Sequence, residues 1–210
     1  TYHPEITYWP SSPSAYPGDK VADRKSGDEH DWTIWFGQKP FENYGNEVPR
    51  FASEYGIQAY PDIETIESFT SPDDRHYKSE LLDYRQRSKM DWISPGFNGN
   101  DMMKQYTEMY FHSPGNFASH IYLSQLMQAR ALKTAIEAHR SSPRCMGSLY
   151  WQLNDCWPTT SWATVDYFGR WKAAHYAVKK AFERVVAVPV ILDNALQVSL
   201  VSELMSDVPV

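Results

Sequence analysis

The sequence contains few cysteines and no long apolar segment. Cys145 and Cys156 are the only two cysteines in 210 residues, and their C-x10-C spacing fits neither a zinc site nor a disulfide framework, so both are predicted to be free thiols. No apolar run approaches the roughly 20 residues that a membrane-spanning helix needs, and Thr1–Pro13 lacks the basic start and apolar middle of a signal peptide. We therefore expect neither a disulfide-stapled domain nor a membrane-spanning segment.

Positive charge is also scarce. The chain has 20 Lys and Arg residues against 26 Asp and Glu residues, a net charge of −6, and no dense basic run. Proteins that bind nucleic acid or anionic lipid concentrate Lys and Arg on one surface. Nucleic acid and membrane partners are therefore not expected.

Aromatic residues, by contrast, are abundant. The sequence contains 8 Trp, 14 Tyr and 9 Phe, more than a plain core of this size requires. Most of these rings are expected to be buried. The flat apolar faces and polar edges of Trp and Tyr also suit the binding of sugar rings.

Short β-prone segments that end in turn signals predict four strands, at Ile6–Ser12, Asp31–Gly37, Arg50–Gly56 and Met146–Asn154. Short helices are predicted within Asp62–Asp91, after the third of these strands.

The clearest helix is predicted over Ala118–Arg140, where apolar residues recur at steps of three and four, and a second amphipathic helix over Lys172–Arg184. A strand, a long helix and a further strand indicate a parallel sheet with helical crossovers. The fold class is therefore α/β. After Pro189 the pattern alternates around a turn at Asp193 and Asn194, which predicts a β-hairpin.

Glu54 stands out because it is a carboxylate inside an apolar and aromatic run, "FASEYGIQ". At the end of a predicted strand it would lie on the carboxyl edge of the parallel sheet, where barrel enzymes hold their catalytic groups. Spacing alone leaves a structural alternative open, in which Glu54 forms an ion pair with Arg50.

Longer segments favour the catalytic interpretation. "NEVPRFASEYGIQAYPDIETI", "IYLSQLMQARALK", "GSLYWQLNDCWPTTSWATVDYFGRWKAAHYAVKKAF" and "SLVSELMSD" resemble the β-mannosidases of glycoside hydrolase family 2, from about Ile6 to the C-terminus. The resemblance implies the latter half, strands 5 to 8, of a (β/α)8 TIM barrel over residues 1–186. It also implies the first strands of an immunoglobulin-like β-sandwich domain over 187–210, so that both ends of the chain are expected to be cut.

The resemblance also implies a reaction, the retaining exo-hydrolysis of terminal β-D-mannose without a cofactor or metal, with Glu54 as the nucleophile. A retaining glycosidase needs a second carboxyl group about 5 Å away. In the family this acid/base is the Glu of an Asn-Glu pair ending the fourth strand, which would lie upstream of Thr1. Glu47, in "GNE", is rejected as a substitute because it approaches the same strand as Glu54.

Four residues are matched to the sugar site by the same resemblance. Trp32 would wall the mannose site and Trp151 would form its floor, unless either ring only packs in the core. Asn154 would bind sugar hydroxyls or cap the turn, whereas neighbouring Asp155 is interpreted as structural. His30 is expected to form hydrogen bonds near the sugar.

Glu29, His30 and Asp31 are all metal-ligand types, but successive side chains of a strand point to opposite faces. We therefore predict no metal site there.

The expected partners are a β-mannoside oligosaccharide or glycoside and the N-terminal half of the same polypeptide. Open sheet edges would also favour a homo-oligomer. Two alternatives remain: another family 2 exo-glycosidase, acting on galactosides, glucuronides or glucosaminides, or a non-catalytic carbohydrate-binding fragment. The absence of an N-x-S/T acceptor favours a bacterial periplasmic or secreted enzyme over a lysosomal one.

Overall fold

The computed structural model describes residues 3–6, 8–15, 25–77, 79–192 and 194–206. Two parallel strands lie at its centre, β1 over Glu29–Asp31 and β2 over Ala52–Tyr55. Glu29 pairs with Ala52, but His30 pairs with Glu54, so Ser53 is an extra residue in β2. This β-bulge sets which residues face each other at the carboxyl end of the pair.

A third extended segment, residues 146–151, lies on the other side of β2. The Ala52 amide donates to the carbonyl of Gly147, and the Leu149 and Trp151 amides donate to the carbonyls of Ala52 and Tyr55. Ala52 and Ser148 form a parallel bridge. The predicted strand at Met146–Asn154 therefore occupies the predicted place, although its pairing is too irregular for a continuous strand.

Two of the predicted strands are wrong, one because the described residues form no strand and the other in its bounds. The described residues of Ile6–Ser12 form no strand, while Thr7 lies outside the described part of the chain. In the second segment the strand ends at Asp31, because the Asp31 carboxylate accepts hydrogen bonds from the Thr33 amide at 3.1 Å and the Thr33 hydroxyl at 2.6 Å. The chain then turns, and Ile34 and Trp35 enter the core from this turn.

Five α-helices surround the sheet in the described residues. They are α1 over Ile63–Glu67, α2 over Glu80–Arg85, α3 over Gly99–Tyr110, α4 over Phe117–Ser141 and α5 over Ala173–Ala181. Short 3-10 helices occur at Phe41–Gly45 and Pro72–Asp74. The predicted long helix and second amphipathic helix are confirmed as α4 and α5, whereas α3 was not predicted.

Helix α4 packs against α3 and α5 and carries much of the hydrophobic core. Its buried apolar residues are Ile121, Met127, Ala131, Leu132, Ala135 and Ile136. Gln128 is also buried, and its amide donates to the carbonyls of Ile57 at 2.8 Å and Trp162 at 3.0 Å. These bonds tie the helix to the segments that follow β2 and Trp151.

The hairpin after α5 is confirmed. Strands β3, Val185–Leu192, and β4, Ala195–Ser202, pair antiparallel in unbroken register. Asn194, in the turn, has a φ of 59°, which a hairpin turn uses and Asn tolerates.

Helices long and apolar enough to cross a membrane are absent from the described ranges.

Candidate active site

Glu54 and Tyr55 point to opposite sides of β2, as expected for successive residues of a strand. Tyr55 is buried against helix α4, where its hydroxyl and the Ser148 hydroxyl lie 2.7 Å apart. Burial raises the pKa of the Tyr55 phenol, so it stays neutral. The Glu54 carboxylate faces the other way and keeps 22% of its side-chain surface exposed.

Trp32 holds the Glu54 carboxylate directly. It follows the last residue of β1, and its indole Nε1 donates a 2.9 Å hydrogen bond to Glu54 Oε1. The Trp32 ring contacts Trp162 in a T-shaped arrangement, with ring centroids 5.9 Å apart. A neutral donor of this kind orients a carboxylate without cancelling its negative charge.

His30 lies opposite Glu54 in the strand register. Its Nδ1 is 3.8 Å from Glu54 Oε1, too long for a hydrogen bond but close enough for electrostatic attraction when the ring is protonated. On the other side of the ring, His30 Nε2 and the Ser12 hydroxyl lie 3.0 Å apart. The structure thus brings together Glu54, Trp32 and His30, three residues that the family resemblance had predicted for the site.

Asp28 was missed by the sequence reasoning, yet it is connected to His30 through the Ser12 hydroxyl. Its carboxylate accepts hydrogen bonds from the hydroxyls of Ser12 and Ser53, the latter at 2.6 Å, and from the Ser14 amide at 2.8 Å. Burial acts to raise the pKa of Asp28, but these hydrogen bonds and nearby His30 outweigh it and hold the pKa below its usual value. Asp28 is therefore a fixed negative charge behind His30.

Trp151 lies beside the strand end that carries Glu54. Its amide donates to the carbonyl of Tyr55 at 2.7 Å, and 44% of the residue is exposed. The backbones of Gly56 and Trp151 approach each other closely, since a Cβ added to Gly56 would lie 2.2 Å from the Trp151 carbonyl oxygen. The backbone thus fixes Trp151 next to β2 while leaving its ring open to solvent.

Asn154 and Asp155 lie further along the same loop. Asn154 is exposed, its backbone bridges to Val165, and its side-chain amide donates to the Asp155 carbonyl at 3.3 Å. Asp155 is buried; burial raises its pKa, while buried Lys172 acts in the opposite direction. The Asn154 side chain thus contacts its own loop, and the Asp155 carboxylate interacts with the Lys172 charge.

The ion pair between Glu54 and Arg50, the structural alternative, is wrong. Arg50 instead donates to the carbonyl of Arg144 at 3.1 Å, on the segment before the third extended strand. Glu47 is exposed in the loop that precedes β2. Cys145 and Cys156 are both free.

Curated relatives match most of this chain. It is 34% identical over 186 residues to β-mannosidase B of Aspergillus fumigatus, an alignment that covers 85% of this chain and 21% of that protein. The Aspergillus niger β-mannosidase B is 34% identical over 189 residues, covering 87% and 21%. The chain thus spans about a fifth of the length of the curated relatives it matches. No family model matches the sequence.

Solved structures give a parallel result. The β-D-mannosidase of Dictyoglomus thermophilum aligns with 85% of this chain and 21% of its own, with a TM-score of 0.78 and 34% identity. An exo-chitosanase of Amycolatopsis orientalis aligns with 77% of this chain and 20% of its own, with a TM-score of 0.57 and 18% identity. The second likeness concerns the fold alone.

Proposed function

Since the chain is homologous over most of its length to one part of the β-mannosidases, we propose that it forms the nucleophile-bearing part of a retaining exo-β-mannosidase. The enzyme would remove terminal, non-reducing β-D-mannose from oligosaccharides or glycosides. The observation that carries this proposal is the Glu54 carboxylate, which lies at the carboxyl end of a parallel strand and is oriented by the Trp32 indole at 2.9 Å.

In the proposed reaction a Glu54 oxygen attacks the anomeric carbon of mannose, and the bond from that carbon to the leaving oxygen breaks. The leaving oxygen takes a proton from a general acid. Water then attacks the glycosyl ester, gives a proton to the same group, now a base, and releases mannose and the free carboxylate. Because the Trp32 N–H occupies Oε1, the other oxygen, Oε2, is the one proposed to attack.

The neighbouring residues would bind the sugar. The exposed ring of Trp151 is proposed as the floor of the mannose site, with Trp32 as a wall, because indole faces attract the polarised C–H groups of a sugar. His30, backed by the Asp28 charge, would form a hydrogen bond to a sugar hydroxyl. Asn154 is kept as a further hydroxyl-binding candidate, since it is exposed on the loop that follows Trp151.

The general acid is proposed to come from another part of a longer polypeptide. The relatives are about five times as long as the aligned segment, which leaves room for the preceding half of a (β/α)8 barrel. Residues 1–186 would then supply strands 5 to 8, and 187–210 would open a β-sandwich domain. A periplasmic or secreted location also stays a proposal.

A second candidate keeps the mechanism and changes the sugar. The fold likeness to an exo-chitosanase is compatible with glucosaminides as substrates. The identity to the exo-chitosanase is 18%, against 34% to the β-mannosidase, so the glucosaminide alternative has less support than the mannose proposal. A non-catalytic carbohydrate-binding fragment is the remaining possibility.

The test is covalent labelling of the whole polypeptide that carries this chain with 2-fluoro-β-mannosyl fluoride, followed by intact mass and peptide mapping. Fluoride leaves with little acid assistance, so the reagent reports on the nucleophile. We expect one stable adduct on Glu54 and none in Glu54→Gln. Glu47→Gln, the matched control, should be labelled as fully as the unmodified protein; an adduct elsewhere, or none, would overturn the proposal.

A further inference from the structure

A row of aromatic rings runs from the Glu54 carboxylate to the protein surface. Trp32, hydrogen-bonded to Glu54, lies 5.4 Å from Phe36 between ring centroids, and Phe36 lies 5.8 Å from Trp92. Exposure increases along the row: Trp32 and Phe36 are half-buried, whereas Trp92 is 67% exposed. The catalytic mechanism proposed above uses the first ring only.

Trp92 lies on a turn that is closed by hydrogen bonds. Lys89 and Asn98 form an antiparallel bridge, and the Met90 amide donates to the Phe97 carbonyl at 2.9 Å. Inside the turn the Gly96 amide donates to Asp91 Oδ1 at 2.9 Å. Met90 is fully buried, so the base of the turn is anchored in the core while its tip holds a large ring in water.

All three rings lie on segments that follow the carboxyl ends of parallel strands. Trp32 and Phe36 are on the turn after β1, and Trp92 is on the long connection after β2. The terminal mannose of an exo-enzyme's substrate fills the site beside the nucleophile. Sugar units that lie further out along the same edge therefore belong to the leaving group.

We propose that Trp92 is the stacking platform of an outer subsite that binds a sugar unit of the leaving group. This inference rests on the proposed function. Phe36 contacts the Trp92 ring in a tilted arrangement, at 59° between the ring planes, and two thirds of the Trp92 surface stays exposed. Since an indole face binds pyranose C–H groups without reading individual hydroxyls, the platform would favour oligosaccharide leaving groups over small ones and tolerate different linkages.

The test compares two substrates on the whole polypeptide, a β-linked mannobiose and β-mannosyl fluoride. The disaccharide places a sugar in the outer subsite, whereas fluoride cannot reach it. For Trp92→Ala we expect kcat/KM on the disaccharide to fall roughly three- to tenfold relative to kcat/KM on the fluoride, the loss of one aromatic contact. Trp92→Phe should recover part of that ratio.

Tyr122→Ala is the matched control, since Tyr122 is 62% exposed on helix α4 and has no part in the site. Its disaccharide to fluoride ratio should equal that of the unmodified protein. An unchanged ratio in Trp92→Ala, with the fluoride still hydrolysed, would overturn the platform and leave the proposed function standing. If the unmodified protein hydrolyses neither substrate, both the platform and the proposed function are overturned.

Discussion

The two sheets in the described part of the chain differ: the one with short strands is buried, and the one with long strands is exposed. The central pair, β1 and β2, has strands of only three and four residues, yet Ala52 and Tyr55 are fully buried. The hairpin of β3 and β4 has eight residues in each strand and unbroken pairing, yet almost every residue of β4 is exposed. The exposed apolar residues of the hairpin are Val190, Ile191, Leu196, Val198 and Leu200.

This difference shows that regular pairing and anchoring are separate properties. The central pair is held by what packs on it: helix α4 on one side, the Trp151 segment along its edge, and the ring of Trp32 at its end. The hairpin is held mainly by its own hydrogen bonds and by a few contacts to the helices. A two-stranded hairpin alone is at best marginally stable in water, so its register says little about its stability.

The largest expected effect is a difference in stability when the same substitution, Leu to Ala, is made in the core and in the hairpin. Leu132, on helix α4, is fully buried, whereas Leu196, on β4, is 68% exposed. We expect Leu132→Ala to lower the free energy of unfolding by about 2–5 kcal/mol, since it leaves a cavity in the core. Leu196→Ala should lower it by less than about 1 kcal/mol.

Urea denaturation followed by tryptophan fluorescence measures both changes. Similar losses for the two variants would mean that the hairpin is as firmly anchored as the core.

The next effect concerns a charge that is buried outside the hairpin. Lys172 is fully buried, and its Nζ donates to the carbonyls of Ala59 at 3.0 Å and Ser161 at 3.3 Å. Burial lowers its pKa from 10.5 to about 8, although Asp155 and Asp166 act to raise it. Above pH 8 the unfolded chain therefore binds more protons at this site than the folded chain, and stability should rise with pH.

The window for this rise is pH 8 to 10, with a gain of up to about 3 kcal/mol. Above pH 10 the trend should reverse, because burial raises the pKa of Tyr44 and Tyr60 and the unfolded chain loses those protons first. Urea midpoints measured across this range test the prediction. In Lys172→Met the rise should disappear, and a rise that persists would assign it to another group.

The smallest expected effect concerns the anchor of the hairpin. Glu203, just after β4, accepts a 2.9 Å hydrogen bond from Arg140 on helix α4, and its amide donates to the Arg184 carbonyl at 2.8 Å. The Glu203 side chain is 58% exposed, so Glu203→Gln should cost less than about 1 kcal/mol. Glu137→Gln, which breaks the Lys133 pair within α4, is the matched control.

Amide hydrogen exchange distinguishes these two variants. We expect faster exchange in β3 and β4 for Glu203→Gln only, with the amides of β2 unchanged in both. Faster exchange throughout the chain would show that the hairpin and the core open together.

The helices were the part of the fold best predicted by sequence, though not evenly. Helix α4 has 25 residues and a repeated apolar spacing, so its signal was strong. Helix α3 was missed although a capping signal was present: Asn98 accepts from the Asn100 amide, and Asp101 accepts from the Asn98 amide. The Gly and Asn residues at its start resemble a loop, and tertiary packing of Met102, Met103 and Tyr106 decides the outcome.

The candidate site could be predicted only as far as chain position allows. Glu54, Trp32 and Trp151 were predicted from strand ends and resemblance, and the structure shows that the first two are in contact. Asp28 and Ser12 carried no signal, because their importance comes from hydrogen bonds between segments of irregular backbone. Such contacts depend on how loops meet in space, and no spacing rule describes them.

The extra residue in β2 has a consequence for how such a site can change over time. Ser53 has no opposite partner in β1, and for that reason Glu54 faces His30 while Tyr55 enters the core. Deleting one residue between Arg50 and Glu54 would exchange these two side chains, sending the carboxylate towards helix α4 and the phenol towards Trp32. A substitution near Glu54 therefore leaves its direction unchanged, whereas an insertion or deletion between Arg50 and Glu54 would turn the carboxylate away from His30.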